Sequence, residues 1–178
     1  CSDILVSMSF NQIFRKRLID LTRMGIINCH AGMLPFYRGR NVLNWALIND
    51  EPYFGITVHY VDASIDTGDI IAQQKFPISD EDDFGTVSTR AHTGCAEVLV
   101  GALEQLRDGD VELIKQESIH PVGFYCTRRG PGDELIDWSQ SSREIFNFVR
   151  ALASPGPQAR SMVGGVEVRF QRVECVKE

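Results

Sequence analysis

Asn28-Cys29-His30 places an amide and an imidazole two residues apart. Asn28 lies at the end of a short apolar run, Ile26-Ile27-Asn28-Cys29, that reads as a strand, and His30 opens the loop after it. Along a strand, residues i and i+2 point to one face, so the two side chains aim at one point. In open α/β sheets, ligands bind beyond the carboxyl ends of the strands. An amide that donates a hydrogen bond beside an imidazole that moves protons suits acyl transfer. Each residue also has a plainer use. A strand-end Asn is usually a turn former, and a lone His is usually a satisfied surface or core residue. Asp66, in Ile65-Asp66-Thr67-Gly68-Asp69, is ordinary turn chemistry unless it reaches back to hold the tautomer and charge of His30. Spacing alone does not show that contact. In Leu34-Pro35-Phe36-Tyr37-Arg38-Gly39-Arg40, an aromatic and two arginines either grip an anionic substrate or fix the shape of their loop.

The elements that must position these residues read as α/β. Asp3 to Ser9 is a buried strand, and Leu18, Leu21 and Met24 predict a helix over residues 12–24, closed by Gly25. With the run from Ile26 they form half of a parallel α/β unit. Residues 30–40 form a loop, and a helix follows with Val42, Trp45, Ala46, Leu47 and Ile48 on its apolar side. Strands over 54–61 and 69–76 flank the turn-rich segment 62–68. Phe84, Val87, Ala91, Cys95, Val98, Ala102 and Leu106 recur at helical spacing behind the acidic run 80–83, and Gly109 stops that helix. The acidic run matches no calcium-loop spacing and reads as a solvated cap. After residue 118, Gly123, Gly130, Pro131 and Gly132 break the chain. A helix over 141–153 and a hairpin around Gly164-Gly165 follow. The expected domains are 1–118, a catalytic domain, and 119–178, a small mixed C-terminal subdomain.

Composition limits the alternatives. The 178 residues are 43% hydrophobic and 24% charged, which fits a globular core and excludes collagen-like, disordered and disulfide-scaffold classes. No apolar run approaches the ~20 residues needed to cross a bilayer. The start lacks a basic, then apolar, leader pattern, so a cytoplasmic protein without membrane partners is expected. The 18 basic and 24 acidic residues leave a net charge of -6, which counts against a nucleic-acid partner. Cysteines at 1, 29, 95, 126 and 175 are odd in number and form no CxxC pair. They read as small buried hydrophobes in a reducing compartment. HExxH, GxSxG, Walker and GxGxxG motifs are absent. His59, His92 and His120 read as structural or solvent-facing.

Together the motifs resemble the 10-formyltetrahydrofolate-dependent formyltransferase family. The resemblance rests on Asn28-Cys29-His30, Leu34-Pro35-Phe36-Tyr37-Arg38-Gly39, Gly55-Ile56-Thr57-Val58-His59 and Asp66-Thr67-Gly68. It spans residues 3–118 and continues more weakly beyond. Arg38-Gly39-Arg40, Leu43-Asn44-Trp45, Arg128-Arg129 and Asp137-Trp138 are most similar to the nucleotide-linked amino-sugar N-formyltransferases.

The resemblance implies a Rossmann-like fold, of which this chain is the C-terminal part. The N-terminal strands are expected to precede it. It also implies a mechanism. A neutral amine attacks the formyl carbon, Asn28 stabilises the oxyanion, His30 shuttles the proton towards the leaving folate nitrogen, and Asp66 orients His30 and favours its charged form. The folate lies against Asn11, Gln12 and Ile13 and against Asp62, Ala63 and Ser64. Tyr37, Arg38 and Gly39 hold the acceptor, and no metal is required. Many family members carry Ser where this chain has Gly32, so no hydroxyl acts there. The expected acceptor is a nucleotide-linked, dTDP-type amino deoxy sugar of surface polysaccharide. Methionyl-tRNA and glycinamide ribonucleotide are the enzyme alternatives, and a non-catalytic folate- or nucleotide-binding module is the alternative of another class. A homodimer is common among similar enzymes.

Overall fold

The structure is a computed structural model that describes residues 2–10 and 12–174. Its element order is β1 (Leu5–Met8), α1 (Lys16–Ile19), β2 (Ile26–His30), β3 (Arg38–Gly39), α2 (Val42–Ile48), β4 (Tyr53–Tyr60), β5 (Ile70–Pro77), α3 (Phe84–Asp108), α4 (Gln116–Ile119), β6 (Tyr125–Cys126), α5 (Ser142–Leu152), β7 (Ala159–Val163) and β8 (Val166–Phe170). The main sheet has the order β1-β2-β4-β5. β1 and β2 run parallel, whereas β2–β4 and β4–β5 are antiparallel. The fold is therefore α/β around a mixed sheet.

β4 is the central apolar strand, with Phe54 to His59 buried on both faces. The long helix α3 covers one face. Its N-terminus carries a reciprocal capping box between Asp83 and Thr86, and Gly109 closes it in the left-handed conformation. Its inward stripe, Val87, Ala91, Cys95, Val98 and Ala102, joins Ile27, Ile56, Val58 and Ile71 in the main core. A second, smaller core of Ile136, Val149, Leu152 and Ala159 lies between α5 and the β7–β8 hairpin. α5 docks on α2 through Asn44, which donates to the Ala151 carbonyl at 2.7 Å. Arg150 and Arg143 of α5 both reach Asp50.

Three expectations need correction. The first strand, expected to be buried, leaves Val6 46% and Met8 45% exposed. The helix expected over 12–24 is a single turn, Lys16–Ile19. Its apolar residues find no core: Leu21 is 66% exposed and Ile13 64%. A short helix without a packed face gains too little to propagate. The second strand also runs one residue further than expected. His30 is its last member, paired with Thr57, rather than the first loop residue. Among the described residues no helix is long and apolar enough to cross a membrane.

Candidate active site

β2 and β4 build the site together. Asn28 lies opposite His59 in the antiparallel register. Cross-strand partners on one face stand side by side, and the Asn28 amide Nδ2 lies 3.3 Å from His59 Nε2. The other ring nitrogen of His59, Nδ1, lies 2.8 Å from the Tyr60 carbonyl. A carbonyl only accepts, so Nδ1 carries the proton and Nε2 is left to accept from Asn28. One Asn28 N–H is thereby anchored, and the second remains for the cavity that Asn28 lines.

His59 is 2% exposed. Burial, and then the neighbouring His30, hold its pKa down to about 4, against a smaller opposing pull from Asp66. It is neutral at neutral pH and works as a fixed acceptor. His59 was expected to be merely structural or solvent-facing, and the structure places it in the site. Its position opposite Asn28 depends on the strand register, which the sequence does not reveal. Unfolded, the same imidazole protonates near 6.5. The unfolded chain therefore takes up a proton that the folded one refuses until about pH 4. Stability should fall by roughly 3 kcal/mol as pH drops from 6.5 to 4. In His59→Asn that one-proton slope disappears. Urea unfolding across pH 7 to 4 measures it, and equal slopes in both proteins would refute it.

His30 is 9% exposed and is held from two sides. Nε2 lies 2.7 Å from the Tyr37 carbonyl, to which it donates. Nδ1 faces Asp66, with Oδ2 at 3.8 Å. The same carboxylate lies 3.7 Å from His59 Nε2 through Oδ1 and accepts from the Gly39 amide at 2.8 Å. Asp66 itself sits in the left-handed region, φ 53. Gly68, two residues on, is pressed against β4. A Cβ there would lie 1.9 Å from the Tyr60 carbonyl oxygen, so the Asp-x-Gly turn closes only with glycine. This puts negative charge beside Nδ1, the ring nitrogen left open to take up a proton.

These groups open onto a cavity of about 910 Å³. Gln12, Ile13, Asp62 and Ser64 line it, and Ala63 does not. Asn11 lies outside the described residues. The Asp62 carboxylate accepts from the Ser64 amide and the Thr67 hydroxyl, which shapes that wall. Gly39 also lines the cavity, whereas Tyr37 and Arg38 are turned inward. The Tyr37 hydroxyl donates to Glu51 at 2.6 Å, and burial pushes its pKa up. The Arg38 guanidinium spends its donors on Gln116 and the Val122 carbonyl. Arg40, Arg128 and Arg129 also line the cavity. Cys29 and Cys95 are free and buried, Cys126 is free and half-buried, and Cys1 and Cys175 lie outside the described residues.

The sequence pattern of the family described as formyl transferase matches residues 1–103, and that of the formyl transferase C-terminal domain matches residues 130–178. The chain belongs to the formyl transferase family. The methionyl-tRNA formyltransferase of Fusobacterium nucleatum is 37% identical over 169 residues, 95% of this chain and 54% of that protein. Among solved structures, a sugar N-formyltransferase from Shewanella superposes with TM-score 0.77 at 25% identity, covering 98% of this chain and 71% of that one. WlaRD, a sugar 3-N-formyltransferase solved in the presence of dTDP and 5-N-formyltetrahydrofolate, gives 0.76 at 25%, covering 91% and 58%. The likeness to amino-sugar formyltransferases therefore holds at the level of structure.

The expected amino-sugar acceptor does not hold. Eight curated relatives, 33–37% identical over 94–99% of this formyltransferase chain, are methionyl-tRNA formyltransferases. The chain spans about half the length of those relatives, 52–56%. Net charge is a weak guide to the acceptor for a physical reason. A charge acts within a Debye length of ~8 to 10 Å. The charges that line the cavity, Arg40, Arg128 and Arg129 with Asp62 and Asp66, therefore matter more to a ligand there than the total does.

Proposed function

We propose that the protein containing this chain transfers the formyl group of 10-formyltetrahydrofolate to the α-amine of methionyl-tRNA. The observation that carries this is the run of methionyl-tRNA formyltransferases matching nearly the whole chain. The donor class is supported by the family match and by the formyl-folate present with a structural neighbour. The cavity of about 910 Å³ has room for such a donor, and Gln12, Ile13, Asp62 and Ser64 are in its lining.

In this reading the amine nitrogen attacks the formyl carbon, and the bond from that carbon to folate N10 breaks. Asn28 directs its free N–H at the oxygen as negative charge develops on it. His30 takes the proton lost by the amine, on Nδ1, and returns a proton to the departing N10. Asp66 stabilises the imidazolium between these steps, and His59 keeps the Asn28 amide from rotating. Arg40, Arg128 and Arg129 meet the phosphates of the tRNA end. The reaction takes place in the cytoplasm, where aminoacylated tRNA is found.

The test is direct. The whole protein is incubated with 10-formyltetrahydrofolate and methionyl-tRNA, and formyl-methionine is measured after mild deacylation. Formylation that weakens steeply with added salt is expected. Formylation of other amines but not of methionyl-tRNA would overturn the reading.

A further inference from the structure

Gln116 lies between the two segments that match the family, 1–103 and 130–178. It is 3% exposed and does not line the cavity. All of its hydrogen-bonding groups are nonetheless engaged around the site. Its Nε2 donates to the Asp66 carbonyl at 2.9 Å and to the Gly68 carbonyl at 2.8 Å. Its Oε1 accepts from Arg38 Nε at 3.0 Å and Nη2 at 2.7 Å.

These four contacts tie two loops together. One carries Asp66, whose backbone sits in the sparsely populated left-handed region. The other carries Tyr37, whose carbonyl accepts from His30. Arg38 follows Tyr37, so fixing its guanidinium fixes the acceptor on the Nε2 side of His30. Fixing the Asp66 carbonyl fixes the carboxylate on the Nδ1 side. The Gly39 amide then closes the ring by donating to Asp66 at 2.8 Å. The segment after Gln116 backs the same loop: the amides of Arg38 and Arg40 donate to the carbonyls of Phe124 and Cys126.

We propose that Gln116 is a positioning residue for formyl transfer, holding Asp66 and the Tyr37–Gly39 backbone in register on opposite sides of His30. The side chain suits the task. Two carbonyls need two donors, the guanidinium needs an oxygen, and a neutral amide supplies both without placing a second negative charge near Asp66. Glutamate at this position keeps the oxygen for Arg38 but turns a lone pair, not a donor, towards the two carbonyls. The inference rests on the formyl-transfer reading above.

The test is a mutant cycle in the whole protein, read by steady-state and single-turnover formylation of methionyl-tRNA. Misplacing reacting groups by about 1 Å costs up to ~100-fold, so Gln116→Ala should lower kcat about 50-fold. KM for both substrates should stay within about threefold, because Gln116 touches neither. Gln116→Glu should be as slow as Gln116→Ala. It also serves where the alanine variant unfolds, because the Arg38 contact survives as an ion pair. In an Asp66→Ala background, Gln116→Ala should cost less than about threefold, since the two act as one unit. The Gly39 amide should lose hydrogen-exchange protection in both Gln116 variants, a readout that needs no substrate. Full additivity with Asp66→Ala, wild-type kcat in Gln116→Glu, or unchanged Gly39 protection would each overturn the proposal. If the unmodified protein formylates some other amine instead, the proposed function falls. The same cycle on that amine still decides the role of Gln116.

Discussion

Replacing His30 with alanine should lower kcat for formyl transfer about 1,000-fold, in the middle of the range for a lost general acid–base group. The reaction needs one proton removed from an attacking amine and one delivered to a departing nitrogen. His30 lies at the end of β2, with Nε2–H fixed on the Tyr37 carbonyl and Nδ1 turned to Asp66 at 3.8 Å. That leaves one nitrogen to exchange protons beside a charge that steadies the result. The alanine variant also leaves a buried carbonyl unpaired, at a cost of ~1–3 kcal/mol in stability. His30→Gln separates the two effects, because its amide can still donate to Tyr37 but cannot shuttle a proton. Both variants should be equally slow, with KM little changed, in rapid-quench measurement on the whole protein. A glutamine variant within tenfold of wild type would remove His30 from the chemistry.

Asn28→Ala should reduce kcat by ~100-fold or somewhat more, the usual cost of deleting one oxyanion donor. The Asn28 amide is held by the buried, neutral His59 at 3.3 Å, so its second N–H is already aimed when the substrate arrives. An oriented dipole that need not reorganise is worth most where charge develops. The loss should therefore fall on kcat and leave KM alone. Asn28→Asp should be worse than Asn28→Ala, because it brings only acceptors and a negative charge towards the oxyanion. Should Asn28→Asp prove as active as wild type, the oxyanion role would be lost.

Much of this could be read in the chain beforehand. The i, i+2 spacing of Asn28 and His30 at a strand end follows from the period of a β-strand, which is local geometry. The long helix α3 was legible for the same reason, since its apolar stripe and its end signals are all within one segment. The helix expected over 12–24 shrank to one turn because its fate depended on a packed face, and local spacing does not reveal whether one exists. The acceptor was misjudged because net charge averages over a surface that a substrate meets only in part.

The sequence by itself determined the ordered motifs that mark the family. Only the tertiary structure decided which groups meet. Strand register set His59 against Asn28, 31 residues away in sequence. A glycine pressed on β4 helped bring Asp66 to His30. A buried amide 50 residues beyond Asp66 tied its backbone down. Each of these contacts arises from chain crossings over long separations, where partners are chosen by packing and by the satisfaction of buried polar groups. No local pattern encodes that choice.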